Sequence, residues 1–331
     1  MTAAKQRVLV TELEYRKAEE TFVSAHGLEC RRAPEAEADL ASAIRDAGAS
    51  AVVVGARSYS GLLYEALPRA GVIARFGVGH DGIDKQKATT AGLFCTNTPG
   101  VLDESVAEHA ILLMLAAARR LPALTAEMQR GHWALGPAGI ELRGKTLAVI
   151  GRGRIGQATA RIATLGLGMR AIACRRKPTT GSTSPFEQVT TDFGATVKDA
   201  DFVSLHLNAE PANHHFINRE RLGLISPHAW LINTARGSVV DENALFDAIA
   251  GQRLAGAALD VFDREPYVPI DPSRDLRTLP NVVLAPHIGS HTAEANRGMA
   301  ERALQNVMLA EAGDYKRMDV VNPEVFSSMK A

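Results

Sequence analysis

Three side chains of complementary chemistry each follow a predicted strand in the second half of the chain. Arg236 follows a strand that ends at Asn233. Glu265 follows a strand that ends near Val261, and His287 follows the next strand. An arginine binds a carboxylate with a planar fork of donors, a histidine transfers protons near neutral pH, and a carboxylate orients a histidine. Each alone could be a solvated charge, but ligands of open α/β sheets bind beyond the carboxyl ends of the strands, so their shared placement favours a catalytic site.

A glycine-rich turn predicts a dinucleotide site beside these residues. Gly151–Gly156 reads G-x-G-x-x-G, follows the apolar strand Leu147–Ile150 and precedes a helix-like run. In such a turn the first glycine allows a tight bend, the second lets the backbone approach a pyrophosphate, and the third lets helix and strand pack closely. The helix N-terminus adds amide donors and a positive dipole end.

A second glycine motif fails the same test of context. Gly139–Thr146 is a literal match to G-x-x-x-x-G-K-T. A phosphate-binding loop of that kind must follow a strand and open a helix, whereas here a strand follows the motif. The segment is therefore interpreted as a turn and not as a nucleoside triphosphate site.

With a nicotinamide cofactor, the three side chains suit hydride transfer to or from a 2-oxo or 2-hydroxy acid. Arg236 would bind the substrate carboxylate and the reacting oxygen. His287 would carry the proton that accompanies the hydride, and Glu265 would orient its ring and stabilise the imidazolium. Reduction of the oxo acid should then slow as pH rises and His287 loses its proton.

The second strand of the dinucleotide unit ends in a basic run, which predicts NADP as the preferred cofactor and NAD as the alternative. An acidic side chain about 20 residues past the glycine turn normally binds the adenosine ribose and repels a 2′-phosphate. Arg175 lies 22 positions after Gly153, and Arg176 and Lys177 follow it. No acidic residue occurs from position 151 to 184. The bland alternative is a solvated loop that carries charge for solubility.

The order of these motifs resembles the D-isomer-specific 2-hydroxyacid dehydrogenase family, in particular its glyoxylate and hydroxypyruvate reductases. The resemblance covers nearly the whole chain and rests on the glycine motif, Asn233–Gly237, Ala258–Pro266 and Pro286–Gly289. It implies Arg236, Glu265 and His287 as the catalytic triad. It also implies a homodimer, formed through the long helix that follows the Thr98–Gly100 break.

Further binding residues follow from the motifs and the resemblance together. The resemblance implies that backbone amides of Val78 and Gly79, with Arg236, bind the substrate carboxylate. The cofactor-binding candidates are Gly151, Gly153, Arg154, Ile155, Gly156, Arg175, Arg176, His206, Thr234, Asp260 and Gly289. Two departures from the family pattern concern this set: His206-Leu207-Asn208 stands where His-x-Pro is usual, and Gly82 stands where an asparagine is usual.

Other functions on the same scaffold stay open at this point. Phosphite dehydrogenases share the arginine, glutamate and histidine, whereas formate dehydrogenases carry a glutamine where Glu265 stands. A corepressor-like protein that senses a dinucleotide could also use this fold. Turnover with a panel of 2-oxo acids would distinguish an enzyme from such a sensor.

The elements that position these residues predict an α/β protein of two Rossmann-like domains, each with a doubly wound parallel sheet. Residues 1–102 and 290–331 are expected to form a flavodoxin-like substrate domain, and residues 103–289 the dinucleotide-binding domain. Helices are expected over 15–25, 36–47, 61–66 and 104–121. The predicted strands are Arg7–Thr11, Ala51–Val54, Val72–Phe76, Leu93–Thr96, Thr146–Ile150, Met169–Ala173, Asp201–Leu207, Ala229–Asn233, Ala255–Val261 and Val282–Ala285.

Composition limits the partners and the compartment. The 331 residues include 37 basic and 37 acidic side chains, so no overall field favours nucleic acid or an acidic membrane. The three cysteines have no regular spacing and predict reduced thiols in the cytoplasm. The longest apolar run, at 110–118, is too short for a membrane span. His287 and His291 lack a third ligand, so no metal site is expected.

Overall fold

The computed structural model describes residues 6–133, 135–178 and 180–328, and it divides the chain into two compact units. One unit comprises Met1–Leu102 and His291–Ala331, and the other comprises Asp103–Ser290. The division between Ser290 and His291 lies one residue after the boundary expected from the sequence, which was between 289 and 290. Each unit contains one parallel sheet, so the predicted α/β fold class is confirmed.

The sheet of the first unit has five parallel strands in the order β2-β1-β3-β4-β5. Its strands are β1 Gln6–Thr11, β2 Leu28–Ala33, β3 Ala51–Val54, β4 Val72–Arg75 and β5 Phe94–Thr96. This order is that of a flavodoxin-like sheet. The last part of the chain is held here by the buried Asn322, whose side chain bonds the backbone of Leu93 and Cys95.

The sheet of the second unit has seven parallel strands in the order β12-β11-β10-β9-β6-β7-β8. Its strands are β6 Thr146–Ile150, β7 Arg170–Cys174, β8 Gln188–Thr190, β9 Phe202–Leu205, β10 Trp230–Asn233, β11 Gly256–Leu259 and β12 Val282–Leu284. The direction of the strand order reverses between β6 and β9. In open α/β sheets ligands bind at this reversal, beyond the carboxyl ends of the strands.

Helices cover the sheets and complete both cores. Those described are α1 Glu12–Lys17, α2 Glu19–Val23, α3 Glu37–Ala47, α4 Leu62–Ala66, α5 Lys85–Thr90, α6 Asp103–Ala118, α7 Leu121–Gln129, α8 Arg154–Leu167, α9 Phe193–Val197, α10 Arg219–Leu222, α11 Glu242–Ala250, α12 Ala293–Glu311 and α13 Val325–Ser328. Short 3₁₀ turns lie at Pro211–Asn213, Gly237–Val239, Leu276–Thr278 and Tyr315–Arg317. Helix α6 packs with α8, β10 and β11, which accounts for its apolar composition.

The predicted long helix is shorter than expected. It ends at Ala118 because Arg120 adopts a left-handed conformation (φ 51°), and Pro122 then lies in the first turn of α7, where its missing N–H is tolerated. Within the described residues no single helix is long and apolar enough to span a membrane; α6 and α7 pass such a test only as a pair bent by 65°.

Two strands were missed by the sequence analysis. Strand β2 carries Glu29, Arg31 and Arg32 on an edge of the sheet, so its charge hides the strand pattern. Strand β8 has only three residues and lies at an edge of the sheet in the second unit. The helix predicted over 15–25 is broken at Ala18, between α1 and α2. The low-complexity run 179–184, whose composition predicts a surface loop, is exposed or half-buried from 180 onward, and Thr179 lies outside the described residues.

The start of α3 illustrates how the first unit fixes a loop to a helix. The Glu37 carboxylate accepts hydrogen bonds from the backbone amides of Ser60, Gly61 and Leu63, at 2.8 to 3.1 Å. Burial alone would raise the pKa of Glu37, but these amides and the Ser60 hydroxyl outweigh it and lower the pKa to about 2.

Candidate active site

The glycine turn lies where the sequence predicted it, between β6 and α8. Gly151 has φ 104°, and a Cβ there would lie 2.3 Å from the carbonyl oxygen of His206. A Cβ on Gly156 would lie 2.2 Å from the Gly151 carbonyl oxygen. At Gly153, by contrast, no atom lies within 4 Å of an added Cβ. The turn is therefore compact on its protein side and open where a pyrophosphate would approach the start of α8.

His206 follows β9 and lies directly against this turn. Its backbone N–H donates to the Ile150 carbonyl at 2.8 Å, and its Nε2 lies 2.9 Å from the Ser204 hydroxyl. Burial of the imidazole lowers the pKa of His206 to about 4. His206 is therefore a neutral hydrogen-bonding group beside the turn at neutral pH, and not a source of positive charge.

The basic run lies at the carboxyl end of β7. The Arg175 N–H donates to the Thr190 carbonyl at 3.0 Å, which ties the ends of β7 and β8 together. Among the described residues no carboxylate lies within ion-pair distance of the Arg175 guanidinium. Arg176 lies 3.4 Å from Glu210, but its side chain is 72% exposed. The arginine side chains at the end of β7 therefore take little part in ion pairs with the described residues.

The side chain of Asn233, the last residue of β10, stabilises the loop that carries Arg236. Asn233 Oδ1 accepts from the Ala235 N–H at 3.0 Å, and Asn233 Nδ2 donates to the Arg236 carbonyl at 2.9 Å. The buried Asn233 side chain thereby replaces the ladder partners that the chain loses as it leaves the sheet. The guanidinium of Arg236 donates to the Ala235 carbonyl at 2.7 Å.

Glu265 and His287 form a direct pair. Glu265 Oε2 lies 2.6 Å from His287 Nδ1, and about a third of each side chain is exposed. The other oxygen of Glu265 accepts from the Phe262 N–H at 3.0 Å. Since the carboxylate holds Nδ1, the imidazole Nε2 is the nitrogen left to exchange a proton with a substrate.

Asp260 fixes the backbone that carries His287. Its carboxylate accepts from the N–H groups of Ile288 and Gly289, both at 2.8 Å, and its carbonyl accepts from the His287 N–H at 2.8 Å. His287 has φ 55°, a left-handed conformation that a non-glycine residue adopts only when its surroundings impose it. His109 Nε2, on α6, lies 3.2 Å from Asp260 Oδ1, so an imidazole borders this buried carboxylate.

The hydroxyl of Thr234 indicates whether a dinucleotide fits this edge of the sheet. Its Oγ1 is buried and has no hydrogen-bond partner among the described residues. Buried hydroxyls are nearly always satisfied, so a ligand atom is the expected partner. With the open space at Gly153, this orphan hydroxyl fits a bound dinucleotide. The described residues contain no group of three or more His, Cys, Asp or Glu side chains that could hold a metal ion.

The amides predicted to bind the substrate carboxylate lie in the first unit. Gly77 follows β4 with φ 138°, and its N–H donates to the Thr98 hydroxyl at 3.0 Å. The Val78 carbonyl accepts from the Asn97 amide at 2.8 Å. Within the described part of the chain, the N–H groups of Val78 and Gly79 have no acceptor, which suits an anion-binding loop.

The sequence analysis missed two residues that support the site. His109 directly precedes the apolar run 110–118 of α6, and Glu242 begins α11 shortly after the Arg236 loop. A histidine at the edge of a long apolar run is a usable sequence signal. Glu242 carries none, because an acidic residue in the first turn of a helix is common for electrostatic reasons alone.

Comparisons with known proteins identify the relatives of this chain. Residues 111–289 match the family model described as D-isomer specific 2-hydroxyacid dehydrogenase, NAD binding domain. A glyoxylate reductase of Thermococcus litoralis is 42% identical over 80% of this chain and 81% of its own length. A glyoxylate/hydroxypyruvate reductase B of Enterobacter agglomerans is 39% identical over 75% and 77%.

A solved structure extends the similarity to nearly the whole fold. The NADPH-dependent glyoxylate/hydroxypyruvate reductase of Sinorhizobium meliloti, crystallised with NADP and malonate, superposes with a TM-score of 0.78 at 31% identity. The match covers 92% of this chain and 93% of that one. On the fold, the family model and these relatives, the chain belongs to the D-isomer specific 2-hydroxyacid dehydrogenases, a family of oxidoreductases.

Proposed function

We propose that the protein reduces glyoxylate, hydroxypyruvate or a similarly small 2-oxo acid to the 2-hydroxy acid, as the D isomer where C2 becomes a stereocentre, with NADPH as the preferred reductant. The observation that carries the proposal is the 2.6 Å pair of Glu265 and His287 at the same sheet edge as Arg236 and the glycine turn. The printed names of the relatives, which are reductases of such acids, support it and do not favour a phosphite dehydrogenase or a corepressor.

The reaction assigns one task to each proposed catalytic residue. A bound reduced nicotinamide supplies the hydride that C2 of the oxo acid receives. Arg236 holds the substrate carboxylate and polarises the C2 oxygen. His287 donates the Nε2 proton to that oxygen, while Glu265 holds Nδ1 and stabilises the imidazolium before transfer. The amides of Val78 and Gly79 are proposed as further donors to the substrate carboxylate.

Turnover with a panel of acids tests the proposal. Glyoxylate, hydroxypyruvate, pyruvate and 2-ketogluconate should be compared with both cofactors, and the smallest acids should give the highest kcat/KM. His287→Ala should lower kcat by about 10² to 10⁴ and leave cofactor affinity nearly unchanged, because it removes a proton donor and no cofactor contact. A wild-type protein that oxidises no reduced cofactor with any of these acids would overturn the proposal.

The preference for NADPH rests on Arg175 and its neighbours. A guanidinium at the end of β7 would pair with a 2′-phosphate and stack on the adenine, while an Asp there would select the free ribose. The expected ratio of kcat/KM for NADPH over NADH is above one, and Arg175→Asp should reverse it. Lys198→Asp, at an exposed loop in the same unit, is the matched control for lost positive charge. A native ratio below one would reject the assignment.

A homodimer is the proposed assembly. The resemblance to the family implied the long helix as its interface, but α6 packs against α8, β10 and β11 of its own unit, so we assign the interface to the surface around α7. None of the residues of α7 is buried, and Trp133 and Leu135 are 85% and 87% exposed. Apolar surface of this kind marks an interface. Sedimentation equilibrium should give a dimer that Trp133→Ser and Leu135→Ser together weaken.

The free thiols of Cys30, Cys95 and Cys174 support a reducing compartment such as the cytoplasm.

A further inference from the structure

A buried acid holds the loop that carries Glu265. Glu242 is the first residue of α11 and is 5% exposed. Its Oε1 accepts from the Asp263 N–H at 2.8 Å. Glu265, two residues further along, accepts the neighbouring Phe262 N–H through Oε1 and contacts His287 through Oε2. Two consecutive amides of the loop are therefore bound by two different carboxyl groups, and only one of these reaches His287.

The same loop is pressed against the Arg236 segment. A Cβ on Gly237 would lie 1.8 Å from the carbonyl carbon of Phe262 and 2.2 Å from the nitrogen of Asp263. Gly237 therefore packs its backbone on the peptide between Phe262 and Asp263. Glu242 comes from the end of this same stretch, so one short segment that begins at Arg236 fixes the position of Glu265 twice, by packing and by a hydrogen bond.

Burial is the largest influence on the pKa of Glu242, and the net effect of its surroundings is to raise that pKa. The Asp263 N–H lowers it, the negative charges of Asp263 and Glu265 raise it, and Arg264 lowers it. Tyr267 also lies beside Glu242, and burial raises the pKa of that phenol. Glu242 Oε2 is buried and has no hydrogen-bond partner among the described residues. A buried ionised oxygen without a donor costs more than a buried neutral group without a partner, so a neutral side chain suits this position.

We propose that Glu242 is a positioning residue for proton transfer: its Oε1 anchors the Asp263 amide, so that Glu265 stays against His287. This inference rests on the proposed reduction, since it concerns the pair that would supply the proton. It assigns Glu242 no contact with substrate or cofactor.

Two substitutions separate anchoring from charge. Glu242→Gln keeps an oxygen for the Asp263 N–H and is neutral, so kcat and the pH dependence of reduction should stay near those of the wild type. Glu242→Ala removes the anchor and should lower kcat about 10- to 100-fold, while KM for the oxo acid and Kd for the cofactor change less than about twofold. Glu220→Gln is the control, because Glu220 is an exposed acid in the first turn of another helix of the same unit.

The hydrogen bond between His287 and Glu265 supplies a readout that does not need turnover. The NMR signal of the His287 Nδ1–H proton, assigned from its absence in His287→Ala, should be observed in the wild type and lost to solvent exchange in Glu242→Ala, because the ring loses its carboxylate partner. The Gln variant should keep the signal. If the wild-type enzyme shows no turnover, the proposed function fails, but this signal still decides the role of Glu242.

Three results would overturn the inference. The first is wild-type kcat and an unchanged His287 Nδ1–H signal in the Ala variant, which would make Glu242 dispensable. The second is a Gln variant as impaired as the Ala variant. The third, which stands even if the Ala variant does not fold, is loss of the Nδ1–H signal in the Gln variant, because that variant keeps the oxygen that anchors the Asp263 amide.

Discussion

Gly237→Ala should damage catalysis without touching any group that carries a charge. The added Cβ would lie 1.8 Å from the carbonyl carbon of Phe262, 2.1 Å from its oxygen and 2.2 Å from the nitrogen of Asp263. Carbon atoms in contact lie about 3.5 Å apart, so one of the two backbone segments must move by roughly 1.5 Å. All three contacts are with backbone, so no side chain can rotate to relieve them.

The displacement falls between the two segments that carry Arg236 and Glu265. A misplacement of about 1 Å costs on the order of 10² in rate, and that loss should appear in kcat, because Arg236, Glu265 and His287 would no longer meet the reacting atoms together. Overpacking should also lower the free energy of unfolding by about 1 to 3 kcal/mol. The glycine turn is part of a different loop, so Kd for NADPH should change little.

Steady-state kinetics at saturating NADPH, cofactor binding followed by fluorescence, and thermal unfolding measure these three effects. Gly166→Ala is the matched control: it lies in α8 of the same unit, an added Cβ there meets no atom within 4 Å, and it should keep its kcat and gain about 0.5 to 1 kcal/mol of stability. A folded Gly237→Ala variant with kcat within threefold of the wild type would refute the claim that this contact sets the geometry of the site.

Three further substitutions probe the acids of the structure. Glu265→Gln should move the fall in reduction rate to lower pH, because an anion favours the imidazolium; an unchanged pH profile would remove Glu265 from that role. Asp260→Ala leaves the buried Gly289 amide and the half-buried Ile288 amide without an acceptor, so urea unfolding should show a loss of about 2 to 4 kcal/mol, and a loss below 1 kcal/mol would contradict the contacts described. Glu37→Gln should lower the free energy of unfolding by about 2 kcal/mol at pH 7. The pKa of Glu37 is lower in the folded chain than in the unfolded one, so this difference between Gln variant and wild type should vanish as pH falls from about 5 to 2; a difference constant with pH would show that the carboxylate is not the stabilising species.

The sequence predicted elements best where burial on both faces imposes a continuous apolar run. Ala51–Val54 and Thr146–Ile150 are strands with the predicted bounds, and both lie inside their sheets. Strand β2 lies at an edge and carries Glu29, Arg31 and Arg32, so hydropathy alone does not reveal it. Its pairing with β1 is a tertiary fact, which no local pattern encodes.

The candidate site shows the same difference between features that a local pattern predicts and contacts that depend on tertiary packing. Arg236, Glu265 and His287 were predicted as neighbours because each follows a strand and parallel strands end at one edge of a sheet. The contact of Glu242 with Asp263 joins residues 21 positions apart, and that of His109 with Asp260 joins a helix to a distant strand end. Such supporting contacts depend on how elements pack, and residue spacing does not determine packing.

The residues proposed for proton transfer make more contacts with the fold than the residue proposed for cofactor choice. The two properties can therefore be changed separately. His287 and Glu265 are held through backbone amides bound by buried or half-buried acids, so a change at either acid disturbs the loops around it. Among the described residues, Arg175 is tied to the sheet only by its own N–H, which donates to the Thr190 carbonyl and which any residue other than proline would supply. A substitution at Arg175 therefore has few structural consequences to compensate. It follows that Arg175→Asp should exchange one cofactor for the other at nearly unchanged kcat and stability, whereas Glu265→Ala, which leaves the Phe262 amide without its acceptor, should lower both kcat and the free energy of unfolding.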